Sequence, residues 1–316
     1  MKLSRRMMLG GSAACLVAAP AFGGSALVMG TGRPGGSYAL YGPVWGQLVA
    51  AKAGINVAYR ASGGAAADIL LIEQNAAQLG MTTVSVAFQA RNGEGAWTAG
   101  AKFQNFRALF PMFPSVLQIV SPRRTGIVSL AGLAGAVIGI GPEGGSGVAA
   151  LPSVLASVGV IPARFVSGDY DAQIRQMLAG ELSACAFIGA PPVPAIASVA
   201  MHGKLSLIGF SEAESAQVAR TSPGMSRMIL AAGVFPGQTI PVGSVGTENF
   251  AIGAAGLTDE VVAAVTLAAV QNRAALEAVV PAAGQSLFAG VLAGAGVPYH
   301  PGAVAALKGL GIDVTG

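Results

Sequence analysis

Three stretches place glycines, a hydroxyl and the start of a helical pattern side by side. Gly30-Thr31-Gly32-Arg33-Pro34-Gly35-Gly36-Ser37-Tyr38 follows a short apolar run. Ala61-Ser62-Gly63-Gly64 follows Tyr59, and Gly141-Pro142-Glu143-Gly144-Gly145-Ser146-Gly147 follows an apolar run at 138–140. Glycine lets a backbone come close to a ligand. A helix N-terminus offers amides without helical acceptors and roughly half a positive charge, so such a loop can receive a carboxylate or phosphate. Ser37, Ser62 and Ser146 are therefore candidate anion contacts, with Gly35, Gly36, Gly63, Gly64, Gly145 and Gly147 shaping the loops around them. One such loop alone can serve only the geometry of a strand-to-helix turn. Three of them favour an anion site.

Other candidates each carry two readings. Arg33 either pairs bidentately with a second carboxylate or faces solvent at the loop edge. Tyr38 and Tyr170 either wall a cleft from two sides or pack as apolar bodies. Thr82, Thr83 and Ser85 end a third strand at the same edge and could supply hydroxyl contacts. Gln118 is a lone amide among Val116, Leu117, Ile119 and Val120. A buried amide needs partners, so it serves either a hinge or the ligand. His300 beside Pro301 fastens the C-terminal loop.

Catalytic sets are thin. No Ser stands in a nucleophile elbow with a partner His, and His202 and His300 have no metal-type spacing. Glu143 and Asp169 are lone loop acids, more often solvated than paired. Gly30, Gly32 and Gly35 spell G-x-G-x-x-G, the dinucleotide fingerprint. That motif wants an acid about 20 residues on, and residues 54–60 hold none. Pro34 also removes an amide from the loop. The expectation is no enzyme, no cofactor and no metal.

Of 316 residues only 10% are charged, while 53% are hydrophobic, which gives ample surface to bury. The mean hydropathy of +0.63 comes from Ala and Gly. The longest uncharged stretch, 182–203, carries Pro191, Pro192 and Pro194, which oppose a spanning helix. Residues 1–21 read as a cleaved export signal: Lys2, Arg5 and Arg6 precede an apolar run, and Ala19-Pro20-Ala21 offers a cleavage site. Arg5-Arg6 in Ser4-Arg5-Arg6-Met7-Met8-Leu9 fits a twin-arginine signal or a general secretory one. Without that segment 15 basic residues face 14 acidic ones, so no nucleic-acid partner is indicated. The mature chain keeps one thiol, Cys185, inside a strand-like run, where it reads as a small buried hydrophobe rather than a nucleophile.

Apolar runs alternate with helical patterns throughout, which predicts an α/β architecture. Strands are expected at 26–29, 55–59 and 78–81, with paired strands at 106–111 and 116–120. A second unit runs strand, helix, strand, helix, strand from 136 to 188. Thr258-Asp259-Glu260 should cap a long helix over 259–279. The pattern divides the chain into residues 22–120 plus 243–316 as lobe I and 121–242 as lobe II. Crossings near 116–122 and 242–250 would form the hinge.

The motifs resemble those of the TAXI family of solute-binding proteins, the receptors of tripartite ATP-independent periplasmic (TRAP) transporters. Thr31, Gly32, Gly35, Gly36, Ser37 and Tyr38 match its first loop, and Ala61-Ser62-Gly63-Gly64 matches its S-T-G-G segment. Gln118-Ile119-Val120 fits its Q-I-V hinge strand, and Pro298, His300, Pro301 and Gly302 fit its terminal P-x-H-P-G. The resemblance implies a type II periplasmic-binding-protein fold, two α/β lobes joined by hinge strands. It also implies a periplasmic receptor that captures a carboxylate-bearing solute, such as glutamate or 2-oxoglutarate, and hands it to a permease; a monomer suits such a shuttling role. Arg33, the Glu143–Val148 loop and Thr83-Val84-Ser85 depart from the family pattern at polar positions that would read the solute. A receptor for an ATP-driven importer, or an exported dinucleotide-binding oxidoreductase, are the alternatives.

Overall fold

The computed structural model describes residues 26–200, 203–285 and 292–314. The export signal expected at residues 1–21 lies outside them. The first lobe begins β1 (Leu27–Gly30), α1 (Tyr38–Ala53), β2 (Val57–Arg60), α2 (Ala65–Glu73), β3 (Leu79–Thr83), α3 (Val84–Asn92). The chain then crosses along β4 (Phe106–Pro122). The second lobe holds β5 (Val137–Gly139), α4 (Ser146–Ser157), β6 (Arg164–Val166), α5 (Tyr170–Ala179) and β7 (Ala184–Gly189). It continues with α6 (Pro194–Ala200), β8 (Leu205–Ile208), α7 (Glu212–Thr221) and β9 (Ser226–Leu230). β10 (Val242–Ala254) returns to the first lobe, which ends with α8 (Asp259–Val270), α9 (Arg273–Glu277) and α10 (Pro301–Gly309).

Both lobes use one strand layout. In the first, β1 lies between β2 and β3, both parallel to it, and β10 runs antiparallel between β3 and the start of β4. In the second, β5 lies between parallel β6 and β7, and the far half of β4 runs antiparallel between β7 and β8. In each, the strand contributed across the lobe boundary takes the antiparallel place. Right-handed crossovers put helices on both faces of such sheets, so their strands must be apolar on both sides. β7 is the plain case. Ala184, Ala186 and Ile188 join one core cluster while Cys185 and Phe187 join the cluster on the opposite face. Cys185 is fully buried and burial pushes its thiol up to about 12, so it carries no thiolate. The first-lobe core is centred on Met29, Trp45, Phe106, Phe110 and Phe250. There the Trp45 indole donates to the Val265 carbonyl at 3.0 Å and ties α1 to α8.

Two expectations are corrected. Residues 106–111 and 116–120 are not a strand pair but parts of the single strand β4. Pro111 and Pro114 suggested a break, because neither can donate to a ladder. Instead β10 shifts register there: Glu248 lies opposite Pro114 and Phe250 opposite Pro111, so Met112 and Phe113 together face Asn249. This is a β-bulge that absorbs both prolines. The long helix expected over 259–279 stops at Val270 and resumes at Arg273. Asn272 turns its amide back to the Ala268 carbonyl at 3.0 Å, and its φ of −119° leaves the helical range. The Thr258 cap is present, its hydroxyl accepting from the Val261 amide. His300 caps α10: Nδ1 accepts from the Gly302 amide and Nε2 lies 3.0 Å from the Leu257 carbonyl. Asp259 Oδ1 also stands 3.4 Å from Nδ1, so three groups hold the ring at the start of α10. Among the described residues no helix is long and apolar enough to cross a membrane.

Candidate functional site

The glycine loops of the two lobes meet across one pocket of about 30 Å³. That is room for two or three waters at roughly 10–15 Å³ each, so the lobes are closed. From the first lobe, the loop after β1 brings Arg33, Gly36 and Ser37 to the wall, and α1 opens with Tyr38. From the second, Gly145 and Ser146 begin α4 at the same wall. The first amides of both helices have no helical acceptor to reach, and both helices are long enough to carry a full dipole. Ser146 is nine-tenths buried, and none of the described residues hydrogen-bonds its hydroxyl.

Contacts between the lobes are largely backbone. The Gly144 carbonyl accepts from the Ala66 and Ala67 amides at 2.9 and 3.0 Å, so the second lobe caps the N-terminus of α2. The Ala190 amide donates to the Ser37 hydroxyl oxygen at 3.0 Å. At the rim the Arg33 guanidinium stands 3.7 Å from Asp169, both side chains at least half exposed. An exposed pair of that kind contributes little. Tyr170 packs edge-on against Phe187 with ring centroids 4.9 Å apart and covers Gly35 and Gly36.

The structure sorts the sequence candidates by place. Arg33, Gly36, Ser37, Tyr38, Gly63, Gly64, Gly145, Ser146 and Tyr170 border the pocket. The others stand behind it or away from it. Ser62 is buried and its oxygen accepts from the Gly32 and Gly64 amides at 2.9 and 3.2 Å, tying the first two loops together. Gly35 lies under Tyr170, and Gly147 packs on the Ile140 carbonyl. Thr82 donates to the Ala65 carbonyl, and Thr83 caps α3 by accepting from Val86. Ser85 lies in a second groove between the lobes, of about 490 Å³, with Gln89, Trp97 and Pro152. Gln118 is a buried brace: its amide donates to the Val116 and Gly189 carbonyls and its oxygen accepts from Val193.

Sequence reasoning missed Ser115 and Asn249, which also border the pocket. Asn249 fills the bulge in β4. Its amide donates to the Phe113 carbonyl and to Ser115 Oγ, both at 2.7 Å, and its oxygen accepts from the Tyr38 hydroxyl at 2.7 Å. Two prolines in one strand with an Asn in the facing strand were the available signal. Burial raises the Tyr38 phenol well above its ordinary value, with Asp68 adding to the effect, and pushes Tyr170 up to about 12. Both remain protonated donors. Asn249→Ala should leave the Tyr38 hydroxyl and the Phe113 carbonyl without their protein partner in a buried site, a loss of about 2 kcal/mol in urea unfolding. An unchanged midpoint would contradict the role given to Asn249.

A sequence profile of the NMT1-like family matches residues 29–311. The chain belongs to the NMT1-like family. Among solved structures, this NMT1-like protein is similar to one described as a periplasmic transporter, at 16% identity and a TM-score of 0.50. The match covers 80% of this chain and 81% of that one. It is likewise similar to the GluR0 ligand-binding core in complex with L-glutamate, at 13% identity and a TM-score of 0.50. That match covers 82% of this chain and 99% of that one. At such identities the likeness shows the fold: the NMT1-like chain has the type II periplasmic-binding-protein fold, two α/β lobes joined by hinge strands. Among its described residues no cluster of His, Cys, Asp or Glu is placed to hold a metal ion.

Proposed function

We propose that this protein is an exported, monomeric receptor that captures a small carboxylate-bearing solute between its lobes and delivers it to a TRAP permease. The observation that carries it is the convergence of Ser37 at the start of α1 and Ser146 at the start of α4 on one pocket, from opposite lobes. Two helix N-termini facing one small volume favour an anion, because a carboxylate satisfies amides that nothing else reaches. The hinge then lies where β4 and β10 cross between the lobes, and opening separates Gly144 from α2. Export and TRAP partnership rest on the leader and on the TAXI-like motifs. A dinucleotide instead would need an acid at the end of β2, where Arg60 stands.

Capture is tested by thermal unfolding with amino acids and dicarboxylates, after native mass spectrometry has checked the purified protein for carried-over solute. At one hundred times Kd a true ligand should add about 2.7 kcal/mol, several degrees in the midpoint. Ser146→Ala should weaken the same solute on the order of 10-fold through loss of a charge-assisted hydrogen bond. A flat screen with solute-free protein would count against capture. Transport in vesicles driven by an ion gradient rather than ATP separates a TRAP receptor from one serving an ATP-driven importer.

A further inference from the structure

The pocket has a polarity beyond its affinity for anions. The polar oxygens of Asn249, Ser115, Ser37 and Gly189 each already accept one protein donor and keep a single lone pair, while the serine hydroxyls also have protons to give. Asn249 Oδ1 already accepts from Tyr38, Ser115 Oγ from Asn249, Ser37 Oγ from Ala190, and the Gly189 carbonyl from Gln118. A serine hydroxyl that accepts one bond still has its own proton to give. Ser37 and Ser115 therefore present donors, and Ser146 and Arg33 add more. No Asp or Glu borders the pocket. The acids on the elements packed around it are turned elsewhere. Asp68 is buried within α2 with Oδ2 on the Met81 amide, Glu248 is partly buried beside Asn249 on β10 without lining the pocket, and Glu143, Asp169 and Asp171 are exposed at or outside the rim.

Resting on the capture reading, we infer that this pocket takes carboxylates that carry no ammonium group: keto acids, hydroxy acids or plain dicarboxylates. It discriminates against the amino acid of the same skeleton. An α-ammonium brings three donors and a positive charge. Seated between the lobes, which must stand further apart than this two- or three-water pocket to admit it, the ammonium would meet donors and the positive ends of two helix dipoles, with no protein carboxylate lining the pocket to neutralise it. Burying a charge unpaired costs far more than any contact it displaces. A keto or hydroxy oxygen at the same carbon, by contrast, accepts from the free hydroxyls.

Matched pairs decide this. Isothermal titration of the solute-free protein with succinate and L-aspartate, 2-oxoglutarate and L-glutamate, and pyruvate and L-alanine holds the skeleton fixed while changing one group. In every pair that binds, the partner without nitrogen should be tighter by about 30-fold or more, because a buried group left unpaired is strongly rejected. Should the amino acid bind as tightly or better, and weaken in Ser146→Ala, the inference falls while the capture reading stands. If none of the six binds, the capture reading itself fails and takes this inference with it.

Discussion

Gly63→Leu should leave the protein folded and unable to close. Gly63 sits in the loop before α2, pressed against the opposite lobe. A Cβ built there runs into the Glu143 carbonyl oxygen and comes within 3.2 Å of Gly144 Cα. Its φ lies outside the left-handed region, so a side chain is compatible with the loop's own conformation. The obstruction exists only across the cleft, and it is backbone, which cannot swing aside. Separating the lobes to admit a leucine also breaks the two amide bonds from Ala66 and Ala67 to the Gly144 carbonyl. Affinity for the captured solute should fall about 100-fold or more, on the order of 3 kcal/mol. Small-angle scattering with saturating solute should show a radius of gyration that no longer contracts. The unfolding midpoint without solute should move little, since the loop gains no strain. Parental affinity and contraction in this variant would refute closure at this seam.

The second large effect is a pH dependence of stability centred on Asp68. Its carboxyl is fully buried in α2 beneath the sheet edge and packs against Gly30 and Gly80. Burial pushes its pKa up to about 7, against the opposing pull of the Ser62 hydroxyl and the Met81 amide. Oδ1 has no partner with hydrogen-bond geometry. A carboxylic acid whose folded pKa is raised binds its proton more tightly folded than unfolded. Its contribution is complete below about pH 4, where both states are protonated. Stability is then lost as pH rises through the window up to about 7, and is constant beyond it. The slope approaches 1.4 kcal/mol per pH unit, or about 4 kcal/mol over the roughly three-unit shift. Asp68→Asn has nearly the same shape, can still accept from Met81 and does not titrate. In urea unfolding from pH 4 to 8, the parent should lose about 4 kcal/mol relative to this variant, with the curves parallel above pH 7. Parallel curves across the whole range would remove the buried proton from the account.

The proton at Asp68 also bears on the site. Ser62 stands between that carboxyl and the pocket loops, and its oxygen holds the Gly32 and Gly64 amides. In sequence, Ser62 looked like a contact for the solute because it shares its setting with Ser37 and Ser146. What separates them is position, not depth: Ser37 and Ser146 open helices at the pocket wall, whereas Ser62 stands behind it and accepts from two amides of neighbouring loops.

Much of the architecture is a local property of the chain. Apolar runs of strand length alternating with 3.6-residue patterns dictate α/β layers, and glycine-serine turns mark where strands hand over to helices. These features depend on residues a few positions apart, so they survive without any knowledge of the fold. Long-range contacts decided the rest. Pro111 and Pro114 read as a break until Asn249, well over a hundred residues away, supplied the bulge and the amide that let β4 run through. The same distant pairing brought Asn249 and Ser115 to the pocket and turned their oxygens inward on protein donors. The capping of α2 by Gly144 likewise exists only because two lobes meet. Sequence fixes which groups can donate or accept; only packing decides which remain unspent, because a hydrogen bond made within the protein is one no solute can claim.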